Sequence, residues 1–498
     1  MRPASIAMWL AVTMLACGDD ATPAAESTGT SASSTTGTST TTGASTTGVT
    51  TDTGVADSST SDTGAPAGPW QPGTIYPSPM DPNPRGFLDR RGLVHAHSVY
   101  SHDACDGEPM DASGNVDAEC YEDLRRDMCT TQHDFMMLTD HREFFSDTEF
   151  PTNMLFDPDR GDVLVDRADG PSANRAGCED GHSLMVMAGC EAGTMPVGLE
   201  SHVPGTGDVY GEATPEAIAL LKEHGAVSLV AHTEDWTVEQ LETLPLDGFE
   251  MYNLHANVLS NVAAVALLVG MVHDEDPGLP HPDLSIFPLW QEDPRYQETW
   301  GTVLFHGTRR ITTMGTDSHR NTFPQILADG ERIDSFRRMQ IWFSNHVLVQ
   351  PDGDGGWDDR ALKDGLRAGR IYGVFEYMGY AQGFDTRIEA GDAIVEIGGE
   401  ASLADAPEIV VIAPTVQELD PEVDAPTITL HVLRATDGGF EEVAMGEDEL
   451  HYQPDAEGAY RVEVRIVPRH LVPYLGSFAG DAETPRAWIY ANPFYVVS

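Results

Sequence analysis

Lysine is almost missing from this sequence of 498 residues, and basic residues of either kind are few. Only Lys222 and Lys363 occur, and 28 lysines and arginines stand against 80 aspartates and glutamates, which gives a formal net charge of −52. A surface with this excess of negative charge repels nucleic acids and anionic lipids at long range. We therefore expect no nucleic-acid partner, and polyanionic substrates are disfavoured unless bound cations reverse the field locally.

Cysteine is scarce as well, and its spacing does not indicate a metal site. No C-x-x-C pair is present, so a thiolate zinc site has no support. The cysteines beyond Cys17 are Cys105, Cys120, Cys129, Cys178 and Cys190. Because five is an odd number, at least one is unpaired or pairs between chains, and Cys190 is the candidate because it lies in an apolar strand pattern.

The motifs of covalent catalysis are missing too. There is no G-x-S-x-G elbow and no Cys/His signature, so we expect no side-chain nucleophile. The glycine-rich stretch "DGDGG" at residues 352–356 has no Walker lysine and is expected to form a turn.

The N-terminal segment predicts export. The apolar run at residues 6–15 is too short to span a bilayer and is typical of a signal peptide over residues 1–16. Cys17 follows in "MLACGDD", which resembles a bacterial lipoprotein signal, and an ordinary secretory peptide cut nearby is the alternative. We expect a protein anchored to the cell envelope by lipid at Cys17, in the periplasm or at the cell surface.

Composition divides the rest of the chain into four segments. Residues 17–68, rich in Ser, Thr and Gly, predict a disordered tether, and residues 69–91 a Pro-rich irregular lead-in. Residues 92–383 alternate short buried strands with helices, which indicates an α/β fold with a parallel sheet or, from at least six strands, a barrel. Residues 384–498 alternate in strand fashion between turns and predict an antiparallel β-sandwich.

Potential metal ligands recur where the α/β strands end. Because parallel strands place their carboxyl ends on one face, these residues are expected to converge there. Imidazole and carboxylate together suit Zn, Mn or Fe ions, so the pattern predicts a multinuclear hydrolytic site. The residues are His95 and His97 in "LVHAHS", Asp140 and His141 in "MMLTDH", Glu191 in "VMAGCE", His232 in "SLVAH", and Asp317 and His319 in "TMGTDSH".

The order of these motifs resembles a known family. "HAHSVYSHD", "LTDH", "GCE", "VAH" and "GTDSH" are similar to motifs of the polymerase and histidinol phosphatase (PHP) family of metal-dependent phosphoesterases, over residues 92–374. The closing "AWIYANPFYV" resembles an exported branch whose members include carbamate-hydrolase-like enzymes with a β-rich tail. The resemblance implies a distorted (β/α)7 barrel that binds two or three divalent ions.

The resemblance also implies a ligand set for each ion. At the third ion, His102 and Asp103 compete for one role, with Asp103 preferred, and Asp140 is expected to orient a ligand. The first ion would be held by His95, His97, Glu191 and Asp317, the second by Glu191, His202 and His232, and the third by Asp103, His141 and His319.

Other residues beside the motifs are expected to meet the substrate. Arg142 and Arg320 suit phosphate or carboxylate oxygens, although pairing with one of the many carboxylates is an equal alternative. His255 follows a strand end and would reach the pocket. Together with Asp103, these three residues form the expected catalytic set.

The sequence therefore predicts an exported, membrane-tethered metallohydrolase that acts on a small molecule, most simply a phosphoester. The first alternative is a metallohydrolase of the same fold that cleaves a carbamate, ester or amide. The second is a non-catalytic binding protein that a metal stabilises.

Overall fold

The computed structural model describes residues 68–498 except 112 and 204–206. The predicted signal peptide, Cys17 and the predicted tether up to residue 67 lie outside the described residues.

The described chain contains helices and strands throughout. The helices are α1 (Ala118–Thr130), α2 (Arg142–Phe145), α3 (Gly207–Tyr210), α4 (Pro215–Glu223), α5 (Val238–Thr243), α6 (Leu254–Ser260), α7 (Val262–His273), α8 (Pro294–Phe305), α9 (Phe336–Trp342) and α10 (Asp359–Arg367). The strands are β1 (Leu88–Ala96), β2 (Phe135–His141), β3 (Val163–Arg167), β4 (Gly170–Gly177), β5 (Ser183–Glu191), β6 (Met195–Val197), β7 (Val227–Leu229), β8 (Gly248–Asn253), β9 (Ile311–Gly315), β10 (Ser344–Val349), β11 (Ile371–Val374), β12 (Ala381–Gln382), β13 (Asp385–Ala390), β14 (Ala393–Val395), β15 (Glu400–Ser402), β16 (Glu408–Ile412), β17 (Thr415–Val416), β18 (Thr427–Thr436), β19 (Gly439–Gly446), β20 (Glu449–Tyr452), β21 (Gly458–Val467), β22 (Arg486–Ala491) and β23 (Phe494–Val497).

One large mixed sheet organises the molecule. Its order is β15-β23-β21-β22-β11-β10-β1-β2-β5-β4-β3, and β18 and β19 join it through β21. Within it, β1, β2 and β5 are parallel neighbours, whereas β1 pairs with β10 in antiparallel fashion. Separate sheets are formed by β14-β13-β16-β20, β12-β17, β6-β7 and the parallel pair β8-β9. The expected α/β class is therefore confirmed as a mixed α/β fold.

The parallel strands are apolar because both of their faces are covered. Strand β2 reads "FMMLTDH" and β5 reads "SLMVMAGCE", and nearly every residue of both is buried. Such continuous apolar runs are typical of parallel strands covered on both faces. Helix α4 begins as its sequence predicts, with the Thr214 side chain accepting a hydrogen bond from the backbone N–H of Ala217 and Pro215 in the first turn.

No closed barrel is seen among the described strands. The β1-β2-β5 ladder meets the region after β9 through a single bridge, Ala96 to Ser318, and meets the region after β6 through another, Ala188 to Leu199. Strands β6 and β7 have three residues each, and β6 contains Pro196, which has no N–H to donate. Strands this short cannot sustain a continuous ladder.

The C-terminal strands extend the large sheet, so a separate β-sandwich is not confirmed. Strand β22 pairs with β11 in antiparallel fashion, with Gly373 opposite Tyr490. Strand β21 continues the sheet beyond β22. The alternating sequence of residues 384–498 predicts strands correctly, but alternation does not say which strand each one pairs with.

Two disulfides connect the loops around the parallel strands. Cys105 bonds to Cys120 at the start of α1, and Cys129 at the end of α1 bonds to Cys178. Cys190 is free and buried, which confirms the expectation that it is the unpaired thiol.

In the described part of the chain, no single helix has both the length and the apolar character needed to cross a membrane. Helices α6 and α7 meet that test only when taken together, and they are bent by 91° where they meet.

A buried ion pair joins β1 to the segment after β11. Arg91 Nη1 donates to Glu376 Oε2 at 2.9 Å and to Tyr380 Oη at 3.0 Å. Burial alone would raise the pKa of Glu376, but Arg91 and His346 outweigh burial and lower it. The carboxylate is thus charged and compensates a guanidinium that has almost no contact with water.

Removing this carboxylate should destabilise the fold. We expect Glu376→Ala to lower the free energy of unfolding in urea by about 3–5 kcal/mol, because Arg91 is left buried without its counter-charge. Glu400→Ala is the matched control, since its pair with Arg309 is about half exposed, and it should cost at most about 1 kcal/mol. An equal loss of unfolding free energy in the two variants would contradict the claim that the buried pair stabilises the fold more than the exposed one.

Candidate metal centre

The carboxyl ends of β1, β2, β5 and β9 bring the candidate ligands to one place. Strands β2 and β5 are in register at His141 and Glu191, so these two side chains are neighbours. Asp317 N–H donates to the His95 carbonyl at 3.0 Å, and His97 N–H donates to the Ser318 carbonyl at 3.0 Å. These two backbone hydrogen bonds fix the segment after β9 against the end of β1, although the bonded residues are far apart in sequence.

Four buried side chains form the centre of the site. His95 Nε2 lies 3.2 Å from His97 Nε2. It lies 3.1 Å from Glu191 Oε2 and 3.4 Å from Asp317 Oδ1. His97 Nε2 lies 3.3 Å from Glu191 Oε2 and 3.1 Å from Asp317 Oδ1. All four ligand atoms lie within 4.8 Å of one another, so the group could hold a metal ion.

These distances fit a tetrahedral metal ion. Metal–ligand bonds of about 2.0–2.1 Å in tetrahedral geometry separate the ligands by about 3.3 Å. The measured separations of 3.1–3.4 Å are five of the six edges of such a tetrahedron. Two imidazole nitrogens and two carboxylate oxygens are also a donor set that Zn, Mn and Fe accept.

Glu250, which the sequence analysis did not single out, orients His95. Its Oε1 lies 2.6 Å from His95 Nδ1, and its side chain is fully buried in β8. Because the Nδ1–H is held by this carboxylate, the Nε2 lone pair of His95 points into the four-residue group. A Cβ on Gly315 would lie 1.9 Å from Glu250 Oε1, so a larger residue there would displace this carboxylate. The signal in the sequence was an acidic residue within the apolar strand "GFEMYN".

A second group forms around Asp103. Asp103 Oδ2 lies 3.2 Å from His141 Nε2, and the group of His97, Asp103 and His141 could hold a metal ion. Ser101 Oγ donates to Asp103 Oδ1 at 2.7 Å and lies 3.0 Å from His97 Nδ1, so it connects two of the members. His102 lies outside this group, with its half-exposed ring stacked on that of His141.

His232 faces both central carboxylates. Its Nε2 lies 3.3 Å from Glu191 Oε1 and 3.4 Å from Asp317 Oδ2, the oxygens that are turned away from His95 and His97. Its Nδ1 lies 3.2 Å from Glu234 Oε1. His232 and Asp317 both have left-handed backbone conformations, with φ of 48° and 49°. Such conformations are strained for these residues and concentrate at functional sites.

A third group consists of His255, Asp317 and His319, which together could hold a metal ion. His255 Nδ1 lies 3.1 Å from Asp317 Oδ2 and 2.9 Å from His319 Nε2. The structure thus places His319 with His255, whereas the resemblance placed it with Asp103 and His141.

Buried carboxylates and imidazoles shift one another's pKa values in the site. Burial would raise the pKa of Glu191 and Asp317, but neighbouring imidazoles outweigh it and hold both pKa values well below their usual range. Burial would lower the pKa of His95, but Glu250, Glu191 and Asp317 raise it to about 10. For His141, Asp103 likewise outweighs burial and raises the pKa to about 9. Without a cation, the carboxylates therefore keep these imidazoles protonated.

Three predicted residues lie apart from these groups. The buried ring of His202 stacks on Tyr210 and lies 3.1 Å from Glu149, and no contact joins it to the other predicted ligands. Arg320 pairs with Asp123. Arg142 is partly exposed beside Glu143, at 3.4 Å.

Asp140 supports the end of β1 without joining any of the candidate groups. It accepts hydrogen bonds from Ser98 N–H at 2.5 Å and from Ser98 Oγ at 2.7 Å. Burial raises its pKa to about 6. A fourth acidic group, Asp283 with Asp329 and Glu331, is paired with Arg337 and Arg338, so its charges are already compensated.

No protein-family model, curated protein or solved structure matches this chain. The resemblance to the PHP family stays a prediction, and the arrangement of the candidate ligands is the evidence that bears on function.

Glu250 provides a test of the orienting contact. We expect Glu250→Gln to weaken metal binding about 10–100-fold, because the amide cannot hold His95 in the required tautomer as strongly as the carboxylate does. Metal retained during titration with a chelator measures the effect. Glu239→Gln on the exposed face of α5 is the control, and an equal affinity in both variants would refute the orienting role.

Metal binding should release protons. At pH 7 the metal-free protein holds protons on His95 and His141, whose raised pKa values are about 10 and 9, and a cation needs their lone pairs. Because the metal-free state binds more protons, affinity should rise with pH until the pH reaches about 9 to 10, where these imidazoles lose their protons without metal. Calorimetry in two buffers with different ionisation enthalpies measures the release, and an enthalpy independent of the buffer would contradict it.

Proposed function

We propose that this chain is an exported, membrane-tethered hydrolase that depends on divalent metal ions and cleaves phosphoesters with water. The observation that carries the proposal is the set of 3.1–3.4 Å separations among His95, His97, Glu191 and Asp317. Buried carboxylates in this arrangement need positive charge beside them, which a shared cation supplies in place of protons on the imidazoles. The first ion is assigned to these four residues.

The further ligands support a centre with more than one ion. Glu191 and Asp317 each have one oxygen near His95 and the other near His232. Each carboxylate would therefore contribute to two neighbouring ion sites. Asp103 and His141 supply a separate pair of donors. When bound, clustered dications lower the pKa of water and stabilise negative charge that develops on substrate oxygens.

The protein's own residues would orient and shield these ions. Glu250 and Ser101 fix the tautomers of His95 and His97, and Glu234 does the same for His232. Burial of the central side chains excludes bulk water, which strengthens each electrostatic contact. Arg142 is adjacent to His141 and partly exposed, with its Nε 3.4 Å from Glu143 Oε1, and we assign it to a substrate oxygen.

The proposal includes a distorted (β/α)7 barrel of the PHP type. It is supported by the parallel pairs β1-β2, β2-β5 and β8-β9, and by the bridge from Ala96 to Ser318. A hydrogen bond from Glu250 N–H to the Val230 carbonyl at 3.0 Å connects β8 to the end of β7. The lipid anchor at Cys17 is part of the same proposal and rests on the sequence.

A carbamate, ester or amide is the second candidate substrate. The observation that favours it is the pairing of Arg320 with Asp123, which occupies one of the two guanidinium groups expected to receive phosphate. The net charge of −52 also opposes the approach of a dianion. A neutral substrate would need neither arginine.

Turnover by the metal-loaded protein tests the proposal. We expect hydrolysis of p-nitrophenyl phosphate or bis-p-nitrophenyl phosphate, and turnover of 1-naphthyl N-methylcarbamate alone would favour the second candidate. His97→Ala and Asp317→Ala should abolish turnover and lower the melting temperature in proportion to the metal lost. His273→Ala, an exposed histidine of α7, is the control and should keep full activity. A metal-replete protein inactive on all three substrates would favour a non-catalytic binding role.

A further inference from the structure

His255 lies within metal-ligand spacing of His319 and Asp317, although the resemblance does not name it as a metal ligand. Its Nδ1 is 2.9 Å from His319 Nε2 and 3.1 Å from Asp317 Oδ2, and His319 Nε2 is 3.8 Å from Asp317 Oδ1. Asp317 and His319 are buried, and the His255 side chain is 12% exposed. Two imidazole nitrogens and a carboxylate at these separations are a donor set typical of transition-metal sites.

The fold holds His255 in this position through Asn253. Asn253 caps α6 by accepting a hydrogen bond from Ala256 N–H at 3.0 Å. Its Nδ2 donates to Glu250 Oε2 at 3.1 Å and lies 3.5 Å from Asp317 Oδ2. The first turn of α6, which carries His255, is therefore tied to the carboxylates of the metal centre.

Strand register explains why the ligands meet. In the parallel pair β8-β9, Asn253 lies opposite Gly315. His255 and Asp317 each follow two residues later, so the two side chains leave neighbouring strand ends at the same level. His319 is turned toward them, and its other nitrogen, Nδ1, lies 3.5 Å from Thr322 Oγ1.

The two oxygens of Asp317 serve different neighbours. Oδ1 lies 3.4 Å from His95 Nε2 and 3.1 Å from His97 Nε2, whereas Oδ2 lies 3.1 Å from His255 Nδ1. A carboxylate divided in this way can bridge two ions. The competing explanation is a direct N–H···N hydrogen bond between His255 and His319, which would need no ion.

We propose that His255 is a metal ligand and shares one divalent ion with Asp317 and His319. The inference rests on the proposed metal-dependent function and deepens it, because it assigns His319 to this ion. Asp103 and His141, whose Oδ2 and Nε2 lie 3.2 Å apart, then hold a different ion.

Counting bound metal in the full-length protein tests the inference. The protein is loaded with Zn²⁺, passed through a desalting column and analysed by elemental mass spectrometry. His255→Phe keeps a ring but offers no nitrogen, so it should lose one equivalent of zinc relative to the wild type. His255→Asp restores a donor and should recover that equivalent, while His273→Ala should keep the wild-type count.

A second variant distinguishes this ion from its neighbour. Asp103→Asn should lose a different equivalent, so that the double variant with His255→Phe loses two. Circular dichroism checks that each variant is folded, and His255→Ala provides the zinc count if His255→Phe does not fold. An unchanged zinc count in folded His255→Phe, or in folded His255→Ala where that variant replaces it, would overturn the inference and leave the proposed function intact. If the wild-type protein bound neither zinc nor any other divalent metal, both the inference and the proposed function would be contradicted.

Discussion

The compensation of buried negative charge is the constraint on which the site depends. Glu191, Asp317, Asp103 and Glu250 lie close together in a region almost without solvent. Carboxylates in such an environment are unfavourable unless positive charge lies beside them. The imidazoles of His95, His97, His141 and His232 provide it when protonated, and divalent ions provide it more compactly when bound. The imidazole nitrogens therefore hold protons when no metal is bound and hold metal when it is, which couples metal binding to pH.

The pairing of the strands brings the candidate metal ligands together. Parallel pairing of β1, β2 and β5 aligns three strand ends, and the bridge from Ala96 to Ser318 adds the segment after β9. The strands before His232 and Asp317 have three and five residues, and both residues have left-handed backbone conformations at the site. The regular sheet extends away from the site through β10 and β11 into the C-terminal strands, where the buried Arg91–Glu376 pair joins the two parts of the chain.

Around the central donors lies a second set of residues that contact the ligands and define their orientation. Glu250, Ser101 and Glu234 each occupy the ring nitrogen that faces away from the centre. Asn253 connects the cap of α6 with Glu250 and Asp317, so His255 is held by the same contacts. Because imidazole has two nitrogens, fixing one of them decides where the other points. The ligand geometry is therefore a property of the whole network.

The sequence by itself determined which residue types end each strand, that the fold is α/β, and that at least one cysteine is left over, with Cys190 as the candidate. Those features follow from local patterns: apolar runs, capping residues such as Thr214, and an odd number of cysteines. Tertiary structure alone decided that Asp103 rather than His102 joins the potential metal group of His141, that His202 packs against Tyr210, and that His255 meets His319. It also decided that the C-terminal strands join the large sheet. Each of these outcomes depends on distances between segments far apart in sequence, and strand periodicity carries no information about which distant segment will be the neighbour.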